Sequence, residues 1–391
     1  MTTELTGTSV LGSHVDEVLS CAYEWIRTNT QQCTNWHRYI ANCKLMVIVA
    51  VAEYRGDLVD ITASSSHFGY DVDELLNTLY GGTRFHEEMS RQYKSYLLFT
   101  AEKSGQAGKS RRGDSELFDR YAPLLARDAR TYFRLRDADS LMRYAMASTL
   151  ACNDCDEEWF TDEQMELLCE LGAVFYDAAT YPKHVAEGET HNAFAYAIGP
   201  EDDDSVYRFR ATAFKTCREV LWQLDAVWAP QSFGRRALLN CLRSLGGWLH
   251  TAMRRYRYVE DNMTLGNPLP VSAVVESREG YKLWNRVDQV GASGGTSGEK
   301  GATKEWSQKA RERYADVIRR KDELLPGGFA EMLESSEEGR CAECLYPEKY
   351  GAGAAGEFGG VKLCDGCRAE WRAWIESFPE RAARLFPEIA R

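Results

Sequence analysis

Residues 161–181 read TDEQMELLCELGAVFYDAATY. The first four of these residues form a capping-box pattern, in which the side chain of Gln164 can reach back to the backbone amide of Thr161. Beyond this start signal, apolar residues recur at the three- and four-residue steps of an α-helix, at Met165, Leu168, Gly172 and Phe175. The sequence therefore predicts an amphipathic helix that begins at the capping box.

The same helical period returns in residues 214–228. There the apolar positions are Phe214, Cys217, Leu221, Leu224 and Trp228. Strand-like alternation is rare in the chain, and hairpin dipeptides such as Asn-Gly or Asp-Gly are few. We therefore expect an all-α fold for a large domain that spans residues 14–288.

Composition divides the rest of the chain. Residues 1–13 are rich in Thr, Ser and Gly and are expected to form a disordered N-terminus. Residues 289–303, QVGASGGTSGEKGAT, have the composition of a flexible linker. Residues 304–391 are predicted to contain a charged helix followed by a small module with four cysteines.

The overall charge limits what the protein can bind. At a formal net charge of −12, the chain is not expected to bind nucleic acids in general, because phosphate backbones are held mainly by Lys and Arg. An acidic protein that binds a diphosphate needs a metal ion to reverse the local sign. The longest apolar run, residues 45–52, has eight residues, whereas a membrane-spanning helix needs about 20. Because no signal-peptide pattern is visible either, we predict a cytoplasmic protein.

The most specific pattern is a pair of Cys-x-x-Cys knuckles. Nineteen residues separate the pair Cys341 and Cys344 from the pair Cys364 and Cys367. Four thiolates at this spacing can bind Zn²⁺ in a tetrahedral site that leaves no open position for water. We therefore predict a structural zinc ion that stabilises a module too small to fold alone. The module is not strongly basic, so its surface is a candidate contact for another protein and not for a specific nucleic acid.

A first group of carboxylates follows the apolar run. On a helix, Glu53, Asp57 and Asp60 would be spaced i, i+4 and i+7 and would share a face. Carboxylates that face an apolar cavity lose hydration and repel one another, so they usually persist by holding cations. One hypothesis is that Glu53 and Asp57 bind Mg²⁺. The other is that Glu53 pairs with Arg55 or another base at the helix end.

A second group of acidic residues flanks an apolar helix predicted for residues 141–150. Its side chains carry the oxygen ligands typical of Mg²⁺ and approximate an aspartate-rich prenyl-diphosphate motif, although a strict Asp-Asp-x-x-Asp is absent from the sequence. The alternative for residues 151–158 is a solvated loop before the next helix. The candidate ligands in this group are Asp137, Asp139, Asn153, Asp154, Asp156 and Glu157.

A third group follows Pro182. On a helix, His184, Glu187 and His191 would be spaced i, i+3 and i+7 and could form a metal-binding face or a general acid–base pair. Glu189 adds a further carboxylate, so Glu187 and Glu189 are candidate Mg²⁺ ligands. The alternative is a loop with ordinary surface residues.

A basic and aromatic stretch, RRYRY, occupies residues 254–258. In an acidic protein, this local positive potential suits a diphosphate, to which arginine can make two parallel hydrogen bonds. The alternative is a solvated helix face that pairs with Glu260 and Asp261. The candidate diphosphate-binding residues are Arg136, Arg254, Arg255, Arg257, Lys282 and Arg286.

Several long stretches resemble a known family. They include CAYEWIRTNTQQCTNWHRYIA (residues 21–41), FRLRDADSLMRYAMASTLACNDCDEEWFTDEQ (residues 133–164) and YPKHVAEGETHNAFAY (residues 181–196). These stretches look like the α-ionylideneethane synthases of fungal abscisic acid biosynthesis, over about residues 15–288. That family lacks the standard aspartate-rich and NSE/DTE metal motifs of sesquiterpene synthases, as this chain does. The linker and the cysteine module are expected to lie outside the resemblance.

The resemblance implies a terpene-synthase-like helical bundle that ionises farnesyl diphosphate with Mg²⁺. Loss of diphosphate and carbocation or proton-transfer steps in a closed pocket would then give an ionylideneethane-like or related sesquiterpene hydrocarbon. The acidic groups would hold Mg²⁺, the arginines would take the diphosphate, and aromatic faces such as Tyr54, Tyr132, Phe133, Tyr144 and Tyr176 would stabilise cationic carbon. The residues expected to take part in catalysis are Glu53, Asp137, Asp154, His184 and Glu187.

Two other classes of function are compatible with the same residues. The protein could be a prenyl transferase or a hydrolase that acts on another diphosphate. It could also be a non-catalytic helical scaffold whose only metal is the zinc. Release of diphosphate from farnesyl diphosphate separates the enzymes from the scaffold, and the organic product separates a cyclase from a hydrolase.

Overall fold

The computed structural model describes residues 15–54, 56–104, 115–187, 192–198, 203–249, 253, 306–345 and 361–390. Helix dominates these ranges, and the one sheet among them is a two-stranded antiparallel hairpin, Ser66–His67 (β1) and Tyr70–Asp71 (β2). The prediction of an all-α chain is therefore confirmed for the described residues.

The helices fall on either side of the undescribed residues 254–305. Before them the helices are α1 (Val15–Asn29), α2 (Trp36–Tyr54), α3 (Val72–Tyr80), α4 (His86–Ser104), α5 (Glu116–Leu124), α6 (Ala129–Ser140), α7 (Met142–Ala151), α8 (Asp162–Glu187), α9 (Ala193–Ala197), α10 (Asp203–Trp228) and α11 (Phe233–Arg243), which continues into a π-helical turn, Ser244–Trp248. After them come α12 (Gln308–Arg319), α13 (Lys321–Leu324), α14 (Phe329–Glu334), α15 (Asp365–Glu376) and α16 (Phe378–Leu385).

Helix α8 is the centre of the fold and begins where the sequence predicts. The backbone N–H of Thr161 donates to Gln164 Oε1 at 3.2 Å, and the backbone N–H of Gln164 donates to Thr161 Oγ1 at 3.3 Å, which confirms the capping box. The helix packs against α6, α7, α9, α10 and α16. At Gly172 a Cβ would lie 2.9 Å from Leu245 Cδ1 and 3.0 Å from Met142 Sδ, so glycine permits this close approach.

The apolar run of residues 45–52 is buried along its whole length within α2. This burial follows from the position of α2, which packs against α1, α3 and α4. A helix that is apolar on all sides is typical of such an interior position. Across the described ranges, no helix combines the length and apolar character that a bilayer span requires.

The helices in residues 306–345 and 361–390 pack against helices that precede residue 254. Helices α12 and α14 contact α5, α13 contacts α4, α15 contacts α6 and α9, and α16 contacts α8 and α10. The predicted disordered segment 1–13 and the predicted linker 289–303 lie outside the described residues. The division into a domain of residues 14–288 and a segment of residues 304–391 stays a prediction.

Candidate active site

A buried ionic network links α6 to α8. The Arg136 guanidinium donates to Asp177 Oδ1 through Nη2 at 3.0 Å and through Nε at 3.3 Å. Its Nη1 donates to Asp139 Oδ2 at 2.7 Å. The other oxygen of Asp177 accepts hydrogen bonds from Tyr132 Oη at 2.5 Å and from the backbone N–H of Ala193 at 2.9 Å. We call Tyr132, Arg136, Asp139 and Asp177 the Arg136–Asp177 network.

The charged groups of this network already pair with one another. Burial opposes the charge on Arg136, but the interactions with Asp177 and its other polar neighbours together outweigh this effect and raise the pKa of the guanidinium. Burial also raises the pKa of Tyr132 well above its ordinary value, so the phenol is a neutral hydrogen-bond donor. A diphosphate on Arg136, or Mg²⁺ on Asp139, would therefore have to exchange with contacts that already exist.

Asp177 was missed by the analysis of the sequence. It lies on α8 between Tyr176 and Ala178 and is fully buried. The signal that could have identified it is a single carboxylate in the apolar part of the helix that the capping box predicts. Such a group must be paired, because an isolated buried charge is too costly.

Asp137 has a structural contact to α7. Helix α6 ends at Ser140, Leu141 follows with a φ of 57°, and the backbone N–H of Arg143 donates to Asp137 Oδ1 at 2.9 Å. The Arg143 side chain donates to Asp137 Oδ2 at 2.9 Å and to Glu88 Oε1 at 2.5 Å. Asp137 therefore satisfies an amide in the first turn of α7, where the left-handed Leu141 turns the chain.

The loop after α7 is tied to the beginning of α2 through Arg38. The guanidinium donates to both oxygens of Asp156, at 2.6 and 2.9 Å, and lies 3.4 Å from Asp154 Oδ1. Asp154 has a φ of 54°, and its carboxylate accepts from Asn35 Nδ2 at 2.8 Å while its side chain is 58% exposed. Asn153 Nδ2 donates to two backbone carbonyls at 2.8 Å. Glu157 is exposed.

Glu53 lies in the last turn of α2 and is half-buried. Its Oε1 accepts a 2.7 Å hydrogen bond from Tyr96 Oη on α4. The side chain of Asp57 lies outside the described residues. Helix α2 ends at Tyr54, so the prediction that Glu53 and Asp60 share one helical face was wrong. Asp60 instead accepts from Arg313 Nη1 at 2.9 Å and so binds the C-terminal segment.

His184 is buried beside the Arg136–Asp177 network. Asn192 Nδ2 lies 3.1 Å from His184 Nδ1 and also donates to the backbone carbonyl of Asp177 at 2.8 Å. The Tyr176 ring centroid lies 5.9 Å from that of His184. Because α8 continues to Glu187, the backbone from Pro182 to Glu187 is helical and does not form the alternative loop.

Several predicted site residues lie outside the described part of the chain. The backbone of Glu187 is described but its side chain is not. The remaining residues of this kind are Glu189, His191, Arg254, Arg255, Arg257, Lys282 and Arg286.

The interior between α2 and α4 holds polar atoms that the sequence analysis also missed. Gln92 is fully buried, and both its amide nitrogen and its amide oxygen have no hydrogen-bond partner among the described residues. The same holds for Ser95 Oγ and Asn42 Nδ2. Nearby, Tyr144 Oη donates to Asn42 Oδ1 at 2.8 Å. Buried polar atoms without partners commonly meet water or a ligand.

A half-open cleft of about 680 Å³ lies beside α6, α8 and the C-terminal helices. Its lining is charged, so it is a poor match for a hydrocarbon tail. The charged residues that line it are Arg130, Arg134, Asp137, Glu163, Glu166, Glu170, Arg381 and Arg384.

The four predicted cysteines form a compact cluster whose sulfur atoms all lie within 4.8 Å of one another. Cys341 Sγ lies 3.8 Å from Cys364 Sγ. Tetrahedral zinc with bonds of about 2.3 Å would place two sulfurs about 3.8 Å apart. The backbone N–H of Cys364 donates to Cys344 Sγ at 3.2 Å. We call Cys341, Cys344, Cys364 and Cys367 the cysteine cluster, and its geometry could bind a zinc ion.

The described residues do not offer a comparable cage for Mg²⁺. Within the described ranges, the cysteine cluster is the one group of three or more His, Cys, Asp or Glu residues whose ligand atoms lie close enough to hold a metal. The acidic groups at Asp137, Asp139 and Asp156 instead contact arginines. A Mg²⁺ site built on these described carboxylates would therefore need other ligands, such as substrate oxygens, in addition to them.

The amino-acid sequence matches those of known proteins. The sequence matches the family described as "Alpha-ionylideneethane synthase aba3" over residues 1–388. It is 44% identical over 373 residues to the alpha-ionylideneethane synthase aba3 of Botryotinia fuckeliana (strain B05.10), which covers 95% of this chain and 78% of that protein. It is also 40% identical over 375 residues to abl3, an alpha-ionylideneethane synthase of Leptosphaeria maculans. This alignment covers 96% of this chain and 81% of that protein.

A third relative extends the comparison to another fungus. The alpha-ionylideneethane synthase abl3 of Pyricularia oryzae (strain Y34) is 39% identical over 420 aligned residues, covering 95% of this chain and 78% of that protein. The match to residues 1–388 includes the cysteine cluster, so the expectation that this module lies outside the resemblance was wrong. Because the family match covers residues 1–388, the chain belongs to the alpha-ionylideneethane synthase family.

Proposed function

We propose that this chain is a sesquiterpene synthase, a carbon–oxygen lyase that releases diphosphate from farnesyl diphosphate. The product would be an ionylideneethane-like or related sesquiterpene hydrocarbon, formed in a terpene-synthase-like helical bundle. The observation that supports this proposal is the match to named α-ionylideneethane synthases over nearly the whole chain. A likeness that spans both the helices and the cysteine cluster is more informative than a single shared motif.

The proposed catalytic metal is Mg²⁺. Proteins usually bind Mg²⁺ through one or two carboxylates together with substrate phosphates, so a preformed cage of protein ligands is not required. Glu53 and Asp154 are the best described candidates, because Glu53 is half-buried beside a tyrosine and Asp154 is partly exposed. Asp57, Glu187 and Glu189 are further candidates. When bound, Mg²⁺ would stabilise the charge of the departing diphosphate.

The residues proposed to receive the diphosphate are basic. A protein with a net charge of −12 needs a local positive patch to bind an anion. The residues that could form this patch are Arg254, Arg255, Arg257, Lys282 and Arg286. Arg136 is a weaker candidate, because its guanidinium already pairs with two carboxylates.

Cationic carbon is proposed to be stabilised in the aromatic interior. Tyr144 is fully buried, and its ring centroid lies 5.4 Å from that of Tyr93 and 5.7 Å from that of Tyr80. Electron-rich ring faces attract cations, most strongly where water is excluded. Gln92 precedes Tyr93 on α4, and its buried amide has no hydrogen-bond partner among the described residues.

The cysteine cluster is proposed to hold one structural Zn²⁺. All four ligands are sulfur, so the ion would have no open position for substrate. Its role would be to fix the short segment that leads into α15.

The proposed activity can be tested by measuring diphosphate release. Purified protein is incubated with farnesyl diphosphate at fixed Mg²⁺, and the same mixture without Mg²⁺ is the control. We expect Mg²⁺-dependent release that scales with enzyme concentration. Release that is absent from folded, zinc-loaded protein would exclude the proposed synthase and a hydrolase of farnesyl diphosphate.

A further inference from the structure

The cysteine cluster and the Arg136–Asp177 network are joined by one helix. Cys364 precedes the first residue of α15, and Cys367 lies in its first turn. Trp371 follows Cys367 by four residues, so both side chains lie on the same face of the helix. A metal held by the cysteines would therefore fix the position and direction of the face that carries Trp371.

Trp371 packs directly on the network. Its side chain is buried, and its ring centroid lies 5.3 Å from that of Tyr132 in an edge-to-face arrangement. The distance to the ring of Tyr196 is 5.0 Å. Tyr132 in turn donates its 2.5 Å hydrogen bond to Asp177, which pairs with Arg136.

The indole N–H of Trp371 does not anchor the ring through a hydrogen bond to any of the described residues. This nitrogen is nevertheless buried. A buried donor without a partner costs roughly 1–3 kcal/mol, so the ring is placed here by packing and by its helix and not by its own hydrogen bond.

Two further contacts fasten α15 to the same helices. Arg372 Nη1 donates to the backbone carbonyl of Ala197 at the end of α9, at 2.9 Å. Trp374 Nε1 donates to Glu170 Oε1 on α8 at 3.1 Å, and Arg381 of α16 donates to both oxygens of Glu170. The helix thus lies against α8 and α9 as well as against α6.

We propose that metal binding by the cysteine cluster positions α15 so that Trp371 holds Tyr132 against Asp177, and that Trp371 is a positioning residue for the buried network. This inference rests on the proposed zinc site but not on the identity of the substrate. Zinc would order α6 and α8 from outside the bundle. The short module would then be part of the machinery that shapes the interior of the enzyme.

The test compares hydrogen exchange in the full-length protein before and after zinc is removed with a zinc-selective chelator at constant Mg²⁺. We expect amides of α6 (residues 129–140) and of residues 170–181 in α8 to exchange at least about tenfold faster without zinc, and to recover when zinc is restored. Amides of α3 are the internal control and should change little. Unchanged exchange in α6 and α8 after zinc is lost would overturn the inference.

Variants at Trp371 separate positioning from metal binding. Trp371→Ala should retain one zinc per chain, yet its amides in α6 and α8 should exchange faster, as they do after chelation. Trp371→Phe keeps an aromatic ring over Tyr132 and should restore most of the protection against exchange. Trp306→Phe is the matched control, because Trp306 contacts Asp119 of α5 and not the network. Normal α6 and α8 exchange in Trp371→Ala would overturn the inference. Because exchange needs no substrate, the result is independent of whether farnesyl diphosphate is turned over.

Discussion

The hydroxyl of Tyr132 donates a 2.5 Å hydrogen bond to the carboxylate of Asp177, and solvent reaches neither side chain. The same carboxylate pairs with Arg136 and accepts from the backbone of Ala193. One acidic residue therefore connects α6, α8 and the start of α9. Removing its charge would leave the buried guanidinium of Arg136 with one carboxylate fewer.

We expect Asp177→Asn to lower the free energy of unfolding by roughly 3 kcal/mol, because both buried carboxylate oxygens accept hydrogen bonds and the amide would turn an N–H donor toward one set of these donors. Urea unfolding of the purified variant measures this loss. Glu219→Gln is the control, since its pair with Lys215 is 3.8 Å long and both side chains are more than half exposed. That control should change stability by less than about 0.5 kcal/mol. A loss below about 1 kcal/mol in Asp177→Asn would contradict a structural role for the network.

The helix that begins after Thr161 and the cysteine cluster could both be predicted from the sequence, because their signals are local. A capping box and two Cys-x-x-Cys pairs are read within a few residues. The partners of Asp177 could not be predicted in this way. Arg136 and Tyr132 precede it by 41 and 45 positions, and they meet it only because α6 packs on α8.

The partners of the acidic residues in the loop after α7 could not be predicted from the sequence either. Its acidic composition predicts metal ligands, yet Asp156 binds Arg38, which lies 118 positions earlier in the chain. A sequence pattern identifies which side chains are acidic but not which base the fold brings to them. For Asp154 and Glu53, the role in metal binding stays a prediction.

Glu53→Gln should reduce turnover of farnesyl diphosphate by about 10²-fold, the effect of losing roughly 3 kcal/mol of transition-state stabilisation. The substitution preserves shape, and the amide oxygen can still accept from Tyr96, so the melting temperature should change by little. Steady-state kinetics measure the turnover, and thermal unfolding of the same preparation measures the melting temperature. Wild-type turnover in a folded variant would exclude Glu53 from the site.

Substitution of Asp156 should mainly lower stability, whereas substitution of Asp154 should mainly lower turnover. Asp156→Asn weakens the paired hydrogen bonds to Arg38 and should cost about 1–2 kcal/mol of stability. Asp154→Asn removes the charge of a side chain that is 58% exposed, so stability should be nearly unchanged while turnover falls by about 10²-fold. Full activity in Asp154→Asn would assign this loop a structural role alone.

Asp60 provides a pH-dependent link between the region after α2 and α12. Burial opposes ionisation of this carboxyl, but hydrogen bonds from Arg313 and Thr62 outweigh it and hold the pKa of Asp60 below its usual value. Because the pKa is lower in the folded than in the unfolded chain, the carboxylate stabilises the fold above the unfolded pKa of about 3.9. This contribution is lost as the pH falls through the lowered folded value.

Asp60→Asn should therefore be less stable than the wild type at pH 7, by about 1 kcal/mol or less because the pair is partly exposed. The difference should shrink as the pH falls from 5 to 3. Urea unfolding of both proteins across this range measures it. A difference that stays constant from pH 7 to pH 3 would show that the Asp60 charge does not contribute.

The organic product formed from farnesyl diphosphate shows whether the protein is a sesquiterpene synthase. Zinc-loaded protein is incubated with farnesyl diphosphate and Mg²⁺, and the extract is analysed by gas chromatography with mass spectrometry alongside heat-inactivated protein. A sesquiterpene hydrocarbon formed in step with diphosphate release is the result predicted for a synthase. Farnesol as the organic product would instead identify a diphosphate hydrolase and contradict the account.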